Sequence, residues 1–133
     1  MNVHGLPRAE RLRGNKILGR LFTDGQSGFV FPFRYYWQAV PVEDEDYSVA
    51  MLVSVPKKMF KRAVKRNLFK RRTREAFRQE KTNAVERCTA AGLRLSVAFV
   101  YSSREEVEFG KIRSSVRRIL SEVSKEAVLQ SKR

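Results

Sequence analysis

The segment 57–78 constrains the fold most: it follows Pro56 and carries eleven lysines and arginines but only one acid, Glu75. From about Arg62 onward it contains no glycine or proline and is rich in residues that favour helix. Two arcs separate when the segment is drawn as a helix that turns about 100° per residue. One arc holds Asn67, Lys70, Arg71, Arg74 and Arg78, and the opposite arc holds Phe69, Thr73, Ala76 and Phe77. The pattern therefore predicts a helix that packs on a sheet through one side and presents a row of cations on the other.

The charge of the whole chain supports a polyanionic partner for this row. Lysine and arginine total 28 against 14 acids, which gives a net charge of +14 in 133 residues. A solvated charged face is the alternative, but such helices interleave acids every few residues. Arginine suits phosphate because its planar fork donates two hydrogen bonds at once. The apolar arc is too modest for a helix that lies on a membrane, so we expect no membrane partner.

Cysteine and histidine counts exclude several kinds of chemistry. The chain has one cysteine, Cys88, and one histidine, His4. An internal disulfide is impossible, and a zinc site built from cysteine and histidine is nearly excluded. Nothing supports a nucleophile paired with His4, so we expect no catalytic residues in the chain itself. The chain also lacks an apolar stretch of about 20 residues and a signal peptide, which predicts a cytoplasmic protein.

Hydrophobic patterning predicts an α+β fold. The predicted helices are 16–23, about 62–78 and 109–123, and the predicted strands are 29–40, 47–55 and 93–101. The first strand contains Pro32 and can be divided in two. The prediction is a small, mostly antiparallel four-stranded sheet with three helices, in the order α-β-β-β-α-β-α.

Three further expectations concern the connections and the ends. The acidic turn 43–46 is predicted to join the aromatic strand to the strand 47–55 as a hairpin. No helix or strand is predicted for the polar stretch 79–92. The chain 1–133 is predicted to be a single RNA-binding domain whose ends, about 1–8 and 127–133, are mobile.

The aromatic strand offers a second candidate surface. Alternation places Phe29, Phe31, Phe33, Tyr35 and Trp37 on one face, and Val30, Arg34 and Tyr36 on the other. The face with five aromatics is interpreted as core. The face with Arg34 and Tyr36 is the candidate platform for a base or sugar, although the sequence leaves open which face is buried.

The run from strand to basic helix, 53–78, closely resembles the bacterial ribonuclease P protein family. That family has a strand ending in Ser-Val-x-Lys-Lys, then Ala-Val-x-Arg-Asn-x-x-Lys-Arg-x-x-Arg-Glu-Ala. The matching residues are Ser54, Val55, Lys57, Lys58, Ala63, Val64, Arg66, Asn67, Lys70, Arg71, Arg74, Glu75 and Ala76. The similarity extends from about Leu12 to Val123. Two positions depart from the pattern: Leu68 replaces a usual cation, and Pro56 replaces a small polar residue.

The resemblance implies a protein subunit that serves an RNA catalyst. The partners would be the ribonuclease P catalytic RNA and precursor tRNA, whose 5′ leader is removed by endonucleolytic cleavage. No obligate protein partner is expected. Mg²⁺ would be held mainly by the RNA, with none bound tightly by the protein. The family fold also implies a left-handed strand–helix–strand crossover, an exception to the usual hand.

The resemblance and the residue patterns together assign two sets of site residues. The predicted RNA-binding set is Lys57, Lys58, Lys61, Arg66, Asn67, Lys70, Arg71, Arg74 and Arg78. The predicted leader-binding cleft is Leu18, Phe22, Arg34 and Tyr36. Leu18 stands where the family often has an aromatic residue, so we expect weaker stacking there.

Two other function classes remain open from charge and size alone. One is a ribosomal or RNA-chaperone protein that binds RNA without a cleavage role. The other, binding of double-stranded DNA, is weaker because the basic helix has no helix-turn-helix partner or dimerisation element.

Overall fold

The computed structural model describes residues 21–42 and 48–132, which form a four-stranded sheet with helices packed against it. The strands are β1 (Gln26–Val30), β2 (Phe33–Pro41), β3 (Val49–Ser54) and β4 (Leu93–Tyr101). The helices are α1 (Ala63–Glu80), α2 (Thr82–Ala91) and α3 (Phe109–Ser131), and residues 21–24 form a further helical segment. The predicted α+β class is confirmed, as is the division of the aromatic segment into two strands.

The sheet has the strand order β1-β2-β4-β3. The β1–β2 and β2–β4 pairs are antiparallel, and the β3–β4 pair is parallel. The prediction of a mostly antiparallel four-stranded sheet is therefore confirmed. Because β3 and β4 are parallel neighbours, the chain must cross from one end of the sheet to the other between them, and α1 and α2 make this connection. The hand of this crossover stays an implication of the family resemblance.

The predicted hairpin between the aromatic strand and the strand 47–55 is wrong. β4 lies between β2 and β3, so these two strands are not neighbours. The physical reason is that β4 is covered on both faces: Val97 and Phe99 are buried on one side and Ala98 on the other. Such a strand is most stable inside the sheet. The hairpin that forms instead joins β1 and β2 through Phe31 and Pro32.

The helices differ from the prediction at two places. α2 occupies the stretch 79–92, which was expected to carry no element. Only Ala84 and Cys88 of α2 are buried, so its apolar stripe was too thin to detect. α3 continues beyond the predicted end at 123 as far as Ser131, with Ala127 buried, so most of the end expected to be mobile is helical.

One face of the sheet carries the main core. α1 and α3 cover this face and pack against each other. The largest buried side chains of this core are Phe69 and Phe77 from α1, Ile112, Ile119 and Leu120 from α3, and Phe33, Met51, Leu95, Phe99 and Tyr101 from the sheet. Each such side chain contributes about 1.5–3 kcal/mol by leaving water. No helix in the described part of the chain is long and apolar enough to cross a membrane.

Candidate nucleic-acid interface

The two arcs of α1 are divided as the helical wheel predicts. Phe69, Thr73, Ala76 and Phe77 are all fully buried. The Thr73 hydroxyl donates a hydrogen bond to the Phe69 carbonyl oxygen at 2.7 Å, so its burial leaves no polar group unsatisfied. The opposite arc therefore faces outward along the whole helix, because the apolar arc is fixed in the core.

The predicted RNA-binding residues form one continuous region, which we call the basic surface: the loop 57–62 and the outer arc of α1. Lys57, Lys58, Lys61, Asn67 and Arg71 are exposed, and Lys70 is half-buried. In the described part of the chain, the side chains of these six residues make no hydrogen bond or ion pair. The charges of the five cations among them, and the Asn67 amide, are therefore available to a phosphate backbone. Arg74 is half-buried and already has an interaction within the fold.

Three other cations of this region are engaged within the protein. Lys65 pairs with Glu106 at 2.5 Å. The Arg72 guanidinium lies 5.4 Å from the centre of the Phe69 ring. The Arg78 Nε atom donates to Glu75 at 2.9 Å. The hydrogen bond from Arg78, followed by that from Gln79, lowers the pKa of the Glu75 carboxyl to about 2. The charge of Arg78 is thus already balanced by an acid within the fold.

Arg66 has a role that the sequence does not reveal. Its Nη1 atom donates to the carbonyl oxygens of Phe60 at 2.9 Å and Lys61 at 2.7 Å. The Phe60 ring stacks on Phe69 with ring centres 4.8 Å apart. The Met59 amide closes a turn on the Pro56 carbonyl at 3.0 Å. These contacts hold the loop against α1, so its three exposed lysines are presented from an ordered backbone.

The second candidate surface is the sheet face opposite the main core, which we call the open face. Residues that pair across neighbouring strands share a face, so the register defines its rows. One row is Ser27, Tyr36, Ala98 and Leu52, and the next is Phe29, Arg34, Val100 and Ser54. The helical segment 21–24 covers part of this face, with Leu21 buried against Ala50 and Ala98.

Two of the predicted cleft residues meet on the open face. The rings of Phe22 and Tyr36 are in edge-to-face contact, with centres 4.9 Å apart and planes at 75°. Phe22 remains 45% exposed, so its ring is available to a ligand. Arg34 is exposed on the same face, in the adjacent row. Leu18, the fourth predicted residue, lies outside the described residues.

The prediction that five alternating aromatics are core is wrong for two of them. Phe33, Tyr35 and Trp37 are buried, as predicted, but Phe29 is 51% and Phe31 is 37% exposed. The alternation resets because the chain reverses at Phe31 and Pro32, which places Phe29 opposite Arg34 and Val30 opposite Phe33. Phe29 therefore belongs to the open face, and Pro32 was the sequence signal for the reversal.

Gly25 allows the helical segment to approach the sheet. A Cβ atom at this position would collide with the Leu21 carbonyl oxygen and would lie 2.9 Å from the Trp37 carbonyl oxygen. Both contacts are with backbone, so a side chain cannot be accommodated by a rotamer change. The close approach places Leu21 and Phe22 over the open face.

The described residues contain no group of three or more histidine, cysteine, aspartate or glutamate side chains that could hold a metal ion. Cys88 is buried in α2, and burial raises the pKa of its thiol to about 11. The thiol is therefore protonated at neutral pH and is a poor nucleophile. The two candidate surfaces can bind phosphates and bases, but they present no acid–base machinery.

Comparison with known proteins identifies the family. The family model described as Ribonuclease P matches residues 6–124. A Ribonuclease P protein component from Porphyromonas gingivalis is 32% identical over 120 residues, covering 90% of this chain and 87% of the relative. One from Chlorobaculum tepidum is 36% identical over 129 residues, covering 89% of this chain and 82% of the relative.

Solved structures share the fold. The RNase P protein of Staphylococcus aureus has a TM-score of 0.67 at 22% identity, covering 87% of this chain and 96% of that chain. The RNase P protein of Thermotoga maritima has a TM-score of 0.66 at 23% identity, covering 85% and 96%. The strand order and the helices on one sheet face are thus those of a known architecture.

Proposed function

Since this chain belongs to the ribonuclease P protein family and is the protein component of an endoribonuclease holoenzyme, we propose a division of labour between its two surfaces. The basic surface binds the catalytic RNA, and the open face binds the single-stranded 5′ leader of precursor tRNA. Both partners are RNA, so we place this activity in the cytoplasm. The observation that carries the proposal is the exposed Phe22–Tyr36 ring pair beside an exposed Arg34, on a sheet face separate from the basic helix.

The basic surface suits a structured RNA because its charges follow a phosphate backbone. Lys70 and Arg71 lie about one helical turn before Arg74 along α1, while Lys57, Lys58 and Lys61 extend the row through the loop. Such contacts position an RNA without reading its sequence. Each neutralised phosphate also releases counterions, so binding should weaken steeply as salt rises.

The open face suits an unpaired strand because it combines rings with a cation. Bases of single-stranded RNA stack on aromatic side chains, and every base has a face that can do so. The two surfaces are also adjacent, because Ser54 on the open face and Lys58 in the loop are four residues apart, at most about 14 Å. A single precursor can therefore reach the catalytic RNA and the open face together.

The chemistry of cleavage belongs to the RNA in this proposal. Mg²⁺, held mainly by the RNA, would supply the chemistry of an activated water and of charge stabilisation at the leaving oxygen. The residues described do not fit a protein-held Mg²⁺ site, because both surfaces present cations where carboxylates would be needed. The protein instead supplies positive charge that offsets phosphate repulsion, which lowers the Mg²⁺ concentration that assembly requires.

Reconstitution with the cognate catalytic RNA tests the proposal. We expect the protein to raise the rate of precursor cleavage at low Mg²⁺ and to have a smaller effect at high Mg²⁺. A variant with Lys58, Lys61 and Arg71 changed to glutamine should lose this effect. The matched control changes Lys111 and Lys125, two exposed cations on α3, to glutamine. Equal rates with and without the protein would contradict the proposed role.

A second measurement separates the two surfaces. The holoenzyme should bind precursor tRNA more tightly than tRNA that lacks the leader, and Tyr36→Leu should reduce that preference. Assembly of the same variant with the catalytic RNA should be unchanged. A leader preference that survives both Tyr36→Leu and Phe22→Ala would place the leader elsewhere on the protein.

A further inference from the structure

We propose that Phe29 and Arg34 form a second nucleotide-binding position on the open face, beyond the one at Phe22 and Tyr36. A leader base would stack on the Phe29 ring, and Arg34 would contact the adjoining phosphate. The inference rests on the proposed function, since it assumes that the open face binds the leader. It adds a specific residue that sequence alternation had placed in the core.

The first observation is that both side chains are exposed and uncommitted. Phe29 is half-exposed, at 51%. In the described part of the chain its ring contacts no other aromatic ring and carries no cation over it. Arg34 likewise makes no hydrogen bond, ion pair or cation–π contact among the described residues. A stacking surface and a phosphate donor therefore lie side by side, and neither has such a partner among residues 21–42 and 48–132.

The second observation is their place in the register. Phe29 and Arg34 are directly opposite each other on β1 and β2. Tyr36 is the diagonal neighbour of Phe29, a relation that places residues about 7–8 Å apart across a strand pair. Only Ser27, a small residue, shares the β1 side of the Tyr36 row. Two bases of one extended strand can therefore occupy the Tyr36 and Phe29 positions without a side chain between them.

The third observation indicates which of the two positions binds the leader nucleotide that is farther from the cleavage site. β1 is the edge strand, and β3 at the opposite edge leads directly into the basic loop. Phe29 on β1 is three strands away from β3, whereas Tyr36 on β2 is two strands away. Phe29 is therefore farther than Tyr36 across the sheet from the strand that enters the basic loop, so it should contact a leader nucleotide farther from the cleavage site than the one at Phe22 and Tyr36.

An unpaired RNA strand fits this position better than the alternatives. A duplex hides its base faces, so it cannot stack on an isolated ring. Aromatic and arginine side chains are also enriched at protein interfaces. A protein partner would be insensitive to the length of the leader, and the experiment below separates the two cases.

The test uses the reconstituted holoenzyme and precursor tRNAs whose leaders are shortened from the 5′ end one nucleotide at a time. Phe29→Leu should reduce affinity for long-leader precursors by about fivefold to about 150-fold, the range that one stacked base supplies. The loss should vanish once the leader is too short to reach β1. Phe29→Tyr should retain wild-type affinity because it keeps the ring. Phe31→Leu is the matched control, since Phe31 is an exposed aromatic in the same hairpin but lies at its turn.

Two further results decide the outcome. An abasic nucleotide at the distal leader position should abolish the effect of Phe29→Leu and leave that of Arg34→Gln, because the phosphate remains. If Phe29→Leu has no length-dependent effect while Tyr36→Leu does, the second position does not exist and the proposed function stands. If neither variant changes leader-dependent affinity, the proposed function itself fails. An equal effect at every leader length would assign Phe29 to a protein contact or to folding, and would overturn the proposal.

Discussion

The basic surface and the open face differ in how far apart their residues lie in the sequence. The basic surface comes from one run, 57–78, so helical periodicity alone separates its buried and exposed residues. The open face draws on the helical segment 21–24 and four strands that extend to Tyr101. Its composition depends on the strand register, which no local pattern determines. A surface built from one helix can therefore be predicted from sequence, whereas one built across a sheet needs the structure.

The two surfaces also differ in the physical character of the binding they support. Cations that meet phosphates give affinity that falls steeply with salt and ignores base identity. Rings that stack on bases give affinity that depends on an unpaired strand and is less sensitive to salt. Variants in the basic surface should therefore weaken catalytic-RNA binding and change its salt dependence. Variants in the open face should weaken leader binding and change its salt dependence less.

Gly25→Ala should have the largest effect, because it separates the helical segment from the sheet. The added Cβ collides with two backbone carbonyl oxygens, so Leu21 and Phe22 must move away from the open face. Overpacking of this kind costs about 1–3 kcal/mol of unfolding free energy. Chemical denaturation should show that loss, and precursor affinity should fall with it.

The matched control for this variant is Gly110→Ala. Gly110 lies in the first turn of α3, and a Cβ there meets nothing within 4 Å. Alanine in a helix is more stable than glycine by roughly 0.5–1 kcal/mol. Equal destabilisation by the two substitutions would show that the close approach at Gly25 is not what fixes the segment.

Phe22→Ala should impair the open face and leave the basic surface intact. It removes one ring of the Phe22–Tyr36 pair, and a stacked base contributes about 1–3 kcal/mol. Precursor binding by the holoenzyme should weaken by that amount, while the affinity of the protein for catalytic RNA stays nearly unchanged. An equal loss in both assays would argue against a separate leader surface.

Arg66→Lys tests whether part of the basic surface acts through backbone order. Lysine keeps the charge but cannot reproduce the paired hydrogen bonds to Phe60 and Lys61 from one planar group. We expect faster amide hydrogen exchange in the loop 57–62 of the free protein, and weaker catalytic-RNA binding with an unchanged salt slope. Lys70→Arg, which also keeps its charge, should change neither quantity. An unchanged loop with a reduced salt slope would make Arg66 a simple phosphate contact.

The sequence predicted the residues of the basic surface better than those of the open face. The wheel of α1 located Phe69 and Phe77 in the core and Lys70 and Arg71 outside it, and the structure agrees. Phe29 was misplaced because strand alternation was carried through a chain reversal. The neighbours of β3 were misassigned because β4, forty residues later, takes the central position. Arg66 clamps a loop through backbone oxygens, a contact for which side-chain patterns carry no signal.

Arg71→Gln tests the basic surface alone by removing one of its charges. The side chain is exposed and makes no hydrogen bond or ion pair in the described part of the chain, so its loss should leave folding intact. Catalytic-RNA affinity should decline, and the slope of log affinity against log salt should flatten by about 0.7–0.9 for one lost phosphate contact. We expect the same direction for Arg74→Gln. Lys125→Gln, a charge removal on α3, should leave the slope unchanged.

Glu75 should give the smallest effect, because it compensates only one cation of the basic surface. Its hydrogen bonds from Arg78 and then Gln79 lower the pKa of the carboxyl to about 2, from an ordinary value of 4.5. A carboxyl with a lowered pKa in the folded state contributes stability that is fully present above pH 4.5 and is lost as pH falls towards 2. An NMR titration should place the Glu75 midpoint near 2, and Arg78→Gln should move it back towards 4.5.

Glu75→Gln should also release Arg78 and modestly strengthen catalytic-RNA binding at low salt. A wild-type midpoint near 4.5 would mean that Arg78 is already free, in which case Glu75→Gln should leave RNA affinity nearly unchanged.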